Sequence, residues 1–272
     1  MARDRRLCLY RTIMPVALDR PMNHTPGHFL LSCLTLATSA TCCLAAPPAL
    51  PPFSDALGGS ASSGAAAPWR AVGLPGGKVA AAELAVVTLD NAQVLQLKAH
   101  KSYGTWVHAL PNWTPEPGTT LQWRWRVNQA PLNADLRRKE GDDAAVKVCL
   151  MFDLPLQAVP FWERSVLRMA RAVTGEPLPA ATLCYVWDAT LATGTLLPNA
   201  YSRRLRFIVA EGAGSPLGQW RTLQRNVAAD FLLAFGDESA TVPAVTAVVV
   251  GADADNTGSQ SLAYLADLRW GP

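Results

Sequence analysis

Between residues 79 and 272 the chain alternates apolar and polar positions in short segments, broken every eight to twelve residues by Gly, Pro, Asn or Asp. Successive side chains of a strand point to opposite faces, so this period of two predicts strands with one face toward a core. The clearest segment is LQWRWRVN, which sets Leu121, Trp123, Trp125 and Val127 on one face and Gln122, Arg124, Arg126 and Asn128 on the other. Strands are predicted near 84–89, 93–100, 105–110, 120–128, 145–153, 182–188, 204–209, 220–224, 242–251 and 262–270. Many short strands with turn residues between them predict an all-β fold, a jelly-roll-like antiparallel sandwich of the galactose-binding-like kind.

Two segments break the period. FWERSVLRMARAVT spaces Phe161, Trp162, Val166, Leu167, Met169 and Val173 as one face of a helix, with Arg164, Arg168 and Arg171 elsewhere, and predicts a helix packed over an end of the sandwich. A shorter helix is predicted over 227–235, where Asp230 stands alone among apolar residues.

The first part of the chain has a different pattern. MARDRRLCLYR is basic, and FLLSCLTLATSATCCLAA from Phe29 to Ala46 is uncharged and ends in small residues, an order that predicts a secretory signal peptide. The stretch ahead of the apolar run is long for such a signal, which makes Met14 and Met22 alternative starts. Residues 47–78 are rich in Pro, Ala, Gly and Ser and predict a flexible or loosely docked arm. The expected order is therefore a signal peptide over 1–46, an arm over 47–78 and a β domain over 79–272, in a periplasmic or secreted protein.

Removing residues 1–46 changes the charge. They hold five Arg and two Asp of 24 basic and 21 acidic residues, so the remainder carries 19 of each. The net charge of +3 belongs to the signal, and a neutral domain is not expected to bind nucleic acid. Four of six cysteines also lie in 1–46, leaving Cys149 and Cys184 either to pair in an oxidising compartment or to pack as two small buried side chains. No phosphate-binding Gly loop, HExxH, GxSxG or CxxC motif is present. Only His100 and His108 remain as imidazoles in the domain, too few for a His-rich metal centre.

Candidate chemistry gathers in a few segments. ADLRRKEGDDAAVKVCLMFD puts Asp135, Arg137, Arg138, Lys139, Asp142 and Asp143 in a turn ahead of a strand, either as binding groups on a loop or as the solvated charge of a connecting turn. Lys147, Cys149, Met151 and Asp153 share one strand face, and Thr182, Cys184, Val186 and Asp188 share another. If these strands are neighbours, Asp153 and Asp188 could meet as paired carboxylates; an Asp ending a strand and bonding the following turn is the alternative. GADADNTGSQSLAYLADLRW resembles the closing strands of galactose-binding-like jelly rolls. Its Asp253, Asp255 and Asn256 oxygens would suit Ca²⁺, though a plain hairpin with an Asp/Asn turn is the favoured account, and no other cofactor is expected.

LQWRWRV, ADLRRKEGDDAAVKVCLMFD, ATLCYVWD, the strand from Arg203 to Val209, RNVAADFLLAFG and VVVGADADNTGSQSLAYLADLRW follow one another in the order seen in domain-of-unknown-function family 3047. The chain resembles that family over Val79 to Trp270. The resemblance implies an exported bacterial β domain and carries over no catalytic residue.

The expected function is non-catalytic binding of a carbohydrate or other envelope polymer, an expectation drawn from the fold. Trp106, Trp113 and Trp187 would stack on sugar rings while Arg124, Arg126 and Asp188 orient hydroxyls; Arg137, Lys139, Asp142, Asp143 and Asp153 complete the candidate set. The alternatives are a polysaccharide hydrolase or lyase using Asp142, Asp143, Asp153 and Asp188, and a structural or assembly protein of the envelope. Membrane contact is expected only through the export signal, and nothing in the chain specifies an oligomer.

Overall fold

The computed structural model describes residues 46–56, 68–74, 77, 79–174 and 178–272. The expected signal peptide up to residue 45, with Met14 and Met22, lies outside the described residues.

Ten strands stand where the alternation predicts them: β3 (Glu83–Leu89), β4 (Ala92–His100), β5 (Ser102–Trp113), β6 (Thr120–Gln129), β7 (Lys147–Phe152), β8 (Ala181–Trp187), β10 (Leu205–Glu211), β11 (Arg221–Asn226), β12 (Val245–Asp253) and β13 (Gln260–Gly271). Three short ones are additional: β1 (Arg70–Val72), β2 (Ala80–Ala81) and β9 (Leu196–Pro198). They form a β-sandwich. The larger sheet runs β1-β5-β12-β7-β8-β10-β9 with β2 beside β5, and the smaller runs β11-β6-β13-β4-β3. Pairing is antiparallel except at β8–β10 and β2–β5. The β3–β4 hairpin turns on Asp90 and Asn91 at φ 52° and 61°, the left-handed pair that a two-residue hairpin requires.

The core lies between the sheets. Trp123, Trp125 and Val127 of β6 face Val148, Leu150 and Phe152 of β7, Leu183 and Tyr185 of β8, and Val248 and Val250 of β12. Trp123 packs edge-on to Trp125 at 5.5 Å and against Tyr185 at 5.2 Å. Helix α2 (Val227–Phe235) closes one end, capped by Asn226 Oδ1 accepting from Ala229 N, with Phe231 against Phe152 at 4.6 Å. Its buried Asp230 accepts from Tyr185 OH (3.0 Å) and from Arg225 Nε (2.9 Å) and Nη2 (2.6 Å), which explains a lone carboxylate in an apolar helix.

The larger sheet is covered on its outer face as well. Cys149, Cys184, Val186, Phe207, Val209 and Val249 form a second apolar cluster there with Leu197 of β9, beneath Leu136 and Ala144 from the loop before β7. All seven residues of β8 are consequently buried, and that strand reads as a continuous apolar run. Cys149 and Cys184 are directly opposed on β7 and β8 and form a disulfide.

Parts of segment 47–78 dock on the sandwich. Phe53 and Trp69 are buried and their rings meet at 5.1 Å, Trp69 Nε1 donates to Pro51 O (3.1 Å), and His108 Nδ1 donates to Pro68 O (2.6 Å).

Helix α1 (Phe161–Thr174) lies where a helix is predicted, but with the opposite face inward. Phe161, Trp162, Val166 and Met169 are exposed, while Leu167 of the predicted apolar face is buried; the Val173 side chain lies outside the described residues. Arg164 and Arg171 hold the helix to the body by donating to Val159 O (2.9 Å) and Leu178 O (2.8 Å).

Candidate functional site

The outer face of the larger sheet carries a cavity of about 470 Å³. Its floor is apolar: the Cys149–Cys184 disulfide, with Met151, Leu205, Phe207 and Val249 around it. These residues alternate with core residues on β7, β8, β10 and β12, so the period-two pattern that builds the sandwich also builds this floor. At Gly251 a Cβ would stand 2.5 Å from Gly104 O and 2.6 Å from Thr105 Cγ2, so the close approach of β5 and β12 beside the cavity requires glycine.

The cavity's other end is polar. Asp142 comes from the loop before β7, Lys147 from β7, Tyr103 from β5, Asp253 from the end of β12, Asp255 and Asn256 from the turn after it, and Asn199 and Tyr201 from the loop between β9 and β10. Lys147 Nζ is ion-paired with Asp253 Oδ2 and sits 4.6 Å from the Tyr103 ring centre, while Asp253 Oδ1 accepts from Ala144 N (2.6 Å). Asn199 Nδ2 donates to Asp142 Oδ2.

Three loops are laced together at the rim. Asn256 Nδ2 donates to Lys139 O (2.8 Å) and to Tyr201 OH (2.6 Å), and Tyr201 OH donates to Lys139 O (3.3 Å). Asp143 accepts from Asn256 N (3.1 Å), Thr257 N (2.7 Å) and Thr257 Oγ1 (2.6 Å). A polar end fixed in this way is preorganised before any ligand arrives.

Two acceptors have no donor. Asp142 Oδ1 and Asp255 Oδ1 are buried without a hydrogen-bond partner in a structure where most buried polar atoms have one. Burial, and then the charge of Asp253, push the Asp142 carboxyl up to about 6, against the hydrogen bond from Asn199 and the charge of Lys147. Asp255 is also raised, by burial and by the charges of Asp253 and Asp143. Burial opposes the Lys147 ammonium, but the charge and hydrogen bond of Asp253 outweigh it and hold that group protonated.

The residues singled out from the sequence are distributed over several places. Asp142, Asp253, Asp255 and Asn256 line the cavity, with Lys139 at its rim, its Nζ 5.2 Å from the Tyr201 ring centre. Asp143 ties the rim loops and has no oxygen to spare. Arg137 is exposed and paired with Asp135 (2.7 Å), which Arg138 also meets at 3.4 Å. Arg124 and Arg126 are on the outer face of the other sheet. Arg124 is held by Asp267 (2.5 Å), presented from a β13 irregularity at φ 56°, and lies 4.7 Å from the Trp220 ring; Arg126 donates to Asn128 (2.8 Å) and meets Asp90 at 3.4 Å.

Asp153 and Asp188 do not meet. β7 and β8 are neighbours, but their antiparallel register sets Lys147 opposite Val186 and Phe152 opposite Ala181, so the two carboxylates follow opposite ends of the pair. Asp188 Oδ1 accepts from Thr190 N (2.7 Å), Thr190 Oγ1 (2.9 Å) and Leu191 N (2.7 Å), a turn-capping role. A four-carboxylate active site of Asp142, Asp143, Asp153 and Asp188 is therefore not assembled.

Trp187 is only 5% exposed on the core side of β8, and Trp113 is buried against Trp270 at 4.9 Å, so neither offers a ring to a sugar. Trp106 is half-buried and packs on the core. Asp253, Asp255 and Asn256 have the geometry of a hydrogen-bonded turn: Lys147 already neutralises Asp253, and the Asn256 amide nitrogen points to Lys139 O and Tyr201 OH. Among the described residues no group of three or more His, Cys, Asp or Glu side chains is arranged to hold a metal ion.

Asn199, Tyr201, Tyr103 and Lys147 were absent from the sequence-derived site. Lys147 carried a signal, since it shares a strand face with Cys149. Asn199 and Tyr201 carried none, because their loop reaches Asp142 from 57 residues away.

A second hollow of about 600 Å³, more open, lies beside Trp113 and Trp270, with Glu116 as its one charged lining side chain. It lacks the convergence of polar atoms found at the first.

The family model of DUF3047, a protein of unknown function, matches residues 67–269, and the chain belongs to that family. The match starts upstream of Val79 and takes in Trp69 and β1. No curated protein matches the chain. Among solved structures it is similar to TmCBM61 in complex with β-1,4-galactotriose, at 9% identity and a TM-score of 0.28, over 75% of this chain and 88% of that one.

Proposed function

We propose that this member of the DUF3047 family is a non-catalytic ligand-binding domain, and that the cavity on its larger sheet takes a neutral, hydroxyl-rich ligand of the carbohydrate class. The observation that carries this reading is the pair of donor-less buried acceptors, Asp142 Oδ1 and Asp255 Oδ1, at one end of a cavity with an apolar floor. A buried acceptor without a donor costs about 1–3 kcal/mol, and a ligand hydroxyl placed there recovers that cost. A sugar ring offers hydroxyl donors at its edge and an apolar face for Tyr103, Tyr201 and the disulfide floor. Three carboxylates against Lys147 disfavour an anionic polymer.

The Cys149–Cys184 disulfide supports a working place in an oxidising compartment, as does the signal-like pattern of residues 1–46. We accordingly assign the protein to the periplasm or the exterior.

The test is isothermal titration of the protein with neutral β-linked hexose oligosaccharides, beside Asp142→Asn and Asp255→Asn. The reading predicts binding by the parent and a loss of about 10- to 100-fold in each variant, the worth of a hydrogen bond to a charged acceptor. Binding that survives both substitutions would place the ligand elsewhere, and no heat with any neutral oligosaccharide would refute the ligand class.

A further inference from the structure

Helix α1 has its polarity reversed relative to a helix that packs on a core. Phe161 is 69% exposed, Trp162 79%, Val166 67% and Met169 70%, and at helical spacing these four side chains form one continuous outward face. The reversal is enforced from the other side. Arg164 Nη2 donates to Gln157 O (3.0 Å) and Val159 O (2.9 Å), Arg171 Nε donates to Leu178 O (2.8 Å), and Glu163 pairs with Arg204 (2.5 Å) and Arg203 (3.4 Å). With Glu163, Arg164 and Arg171 committed to these contacts, the helix cannot roll to bury its aromatic face without breaking them.

The chemistry of the face identifies what covers it. Phe161 and Trp162 stand edge to face at 5.8 Å on a convex ridge, with Met169 two turns along, and Arg168 is exposed beside them. Glu163 is the one acidic residue of the helix against Arg164, Arg168 and Arg171, and it is already neutralised by Arg203 and Arg204. An apolar aromatic ridge flanked by arginine is complementary to an anionic phospholipid surface, where Trp and Phe settle at the headgroup boundary and Arg reaches the phosphates. Fourteen residues extend only ~21 Å, short of the ~30 Å hydrocarbon core, and no helix among the described residues is long and apolar enough to cross a membrane.

We propose that α1 is an interfacial docking helix, which lies in the plane of an anionic phospholipid bilayer with Phe161, Trp162, Val166 and Met169 inserted and Arg168 at the headgroups. The domain is then a peripheral membrane protein in its own right, apart from any export signal. This inference does not depend on what the cavity binds.

The experiment is flotation of the full chain with vesicles of phosphatidylcholine alone and of phosphatidylcholine with phosphatidylglycerol, comparing the parent with the Trp162→Ser/Met169→Ser double variant. Residues 1–46 are present in both proteins, so any binding through them cancels. Removing two large apolar side chains from the inserted face lowers the partition coefficient at least ~10-fold, at unchanged far-ultraviolet circular dichroism, because each contributes on the order of a decade or more to transfer from water. Phosphatidylglycerol strengthens binding of the parent, and added salt reverses that gain. Equal flotation of parent and variant, or no flotation of either, overturns the proposal. So does a parent that is dimeric without vesicles and made monomeric by the substitutions, which would assign the face to a second copy of the chain.

Discussion

Replacing Asp142 with Asn separates the stability of the fold from the work of its cavity. Asp142 is 8% exposed, one of its oxygens has no partner, and its carboxyl is pushed up to about 6 from the 3.8 of an unhindered Asp. A folded-state pKa above the unfolded one means that the fold binds this proton more tightly than the unfolded chain does. Stability from this group is thus fully present below pH 3.8, is lost as pH rises to about 6, and stays lost above it. At ~1.4 kcal/mol per pH unit the window amounts to about 3 kcal/mol, of which some 2–3 kcal/mol falls between pH 4 and pH 8. Asparagine has nothing to titrate, so Asp142→Asn is expected to be more stable than the parent at pH 8 and to lose most of that advantage at pH 4. For a domain of this size the difference corresponds to ~5–10 °C in melting temperature. Melting curves of both proteins at the two pH values provide the assay, and the parent–variant difference cancels every other titrating group that Asp142 does not touch. An offset that is the same at pH 4 and pH 8 would refute the reasoning. The same substitution is expected to weaken oligosaccharide binding, and a variant that is more stable yet binds less cannot be explained by misfolding.

Three further outcomes follow from the packing. Cys149→Ala/Cys184→Ala opens a loop of 35 residues' separation, a loss of about 3–4 kcal/mol by loop entropy, and is expected to lower the melting temperature by ~10 °C; an unchanged melting temperature would contradict it. Asp230→Ala leaves Tyr185 and Arg225 without their shared acceptor and is expected to cost about 3 kcal/mol in urea unfolding, with Asp230→Asn costing less because it keeps an acceptor. Gly251→Ala forces a Cβ against Gly104 O at 2.5 Å and is expected to reduce both stability and ligand affinity, measured together by thermal shift with and without oligosaccharide.

Strand positions were legible because period two repeats wherever one sheet face meets the core. The segment LQWRWRVN is the strongest case, and Trp123 and Trp125 lie at the centre of the molecule as their spacing predicts. The shared faces of Lys147 with Cys149 and of Thr182 with Cys184 were legible for the same reason, and all four residues line the cavity. What periodicity does not contain is direction and partnership. It marks Phe161, Trp162 and Met169 as one face of α1 but does not say that Arg164 and Arg171 will find backbone carbonyls and turn that face outward. It puts Asp153 and Asp188 at strand ends, yet only the antiparallel register shows them to be opposite ends. Trp187 was misread because both faces of β8 are covered, so its neighbours in sequence give no contrast between inside and outside. The polar end of the cavity joins Asp142, Asn199 and Asn256 from three loops, a meeting set by tertiary structure alone.

The proposed function requires that ligand bind in the cavity between Asp142, Asp255 and the disulfide floor. Amide chemical-shift mapping tests it most directly, with the isotope-labelled protein titrated against the oligosaccharide that raises its melting temperature most. Binding there is expected to shift amides clustered at Ala144, Cys184, Tyr201, Asn256 and Thr257, around the cavity and its rim. Shifts gathered instead at Arg124 and Trp220 on the opposite sheet, or beside Trp113 and Trp270, would contradict it.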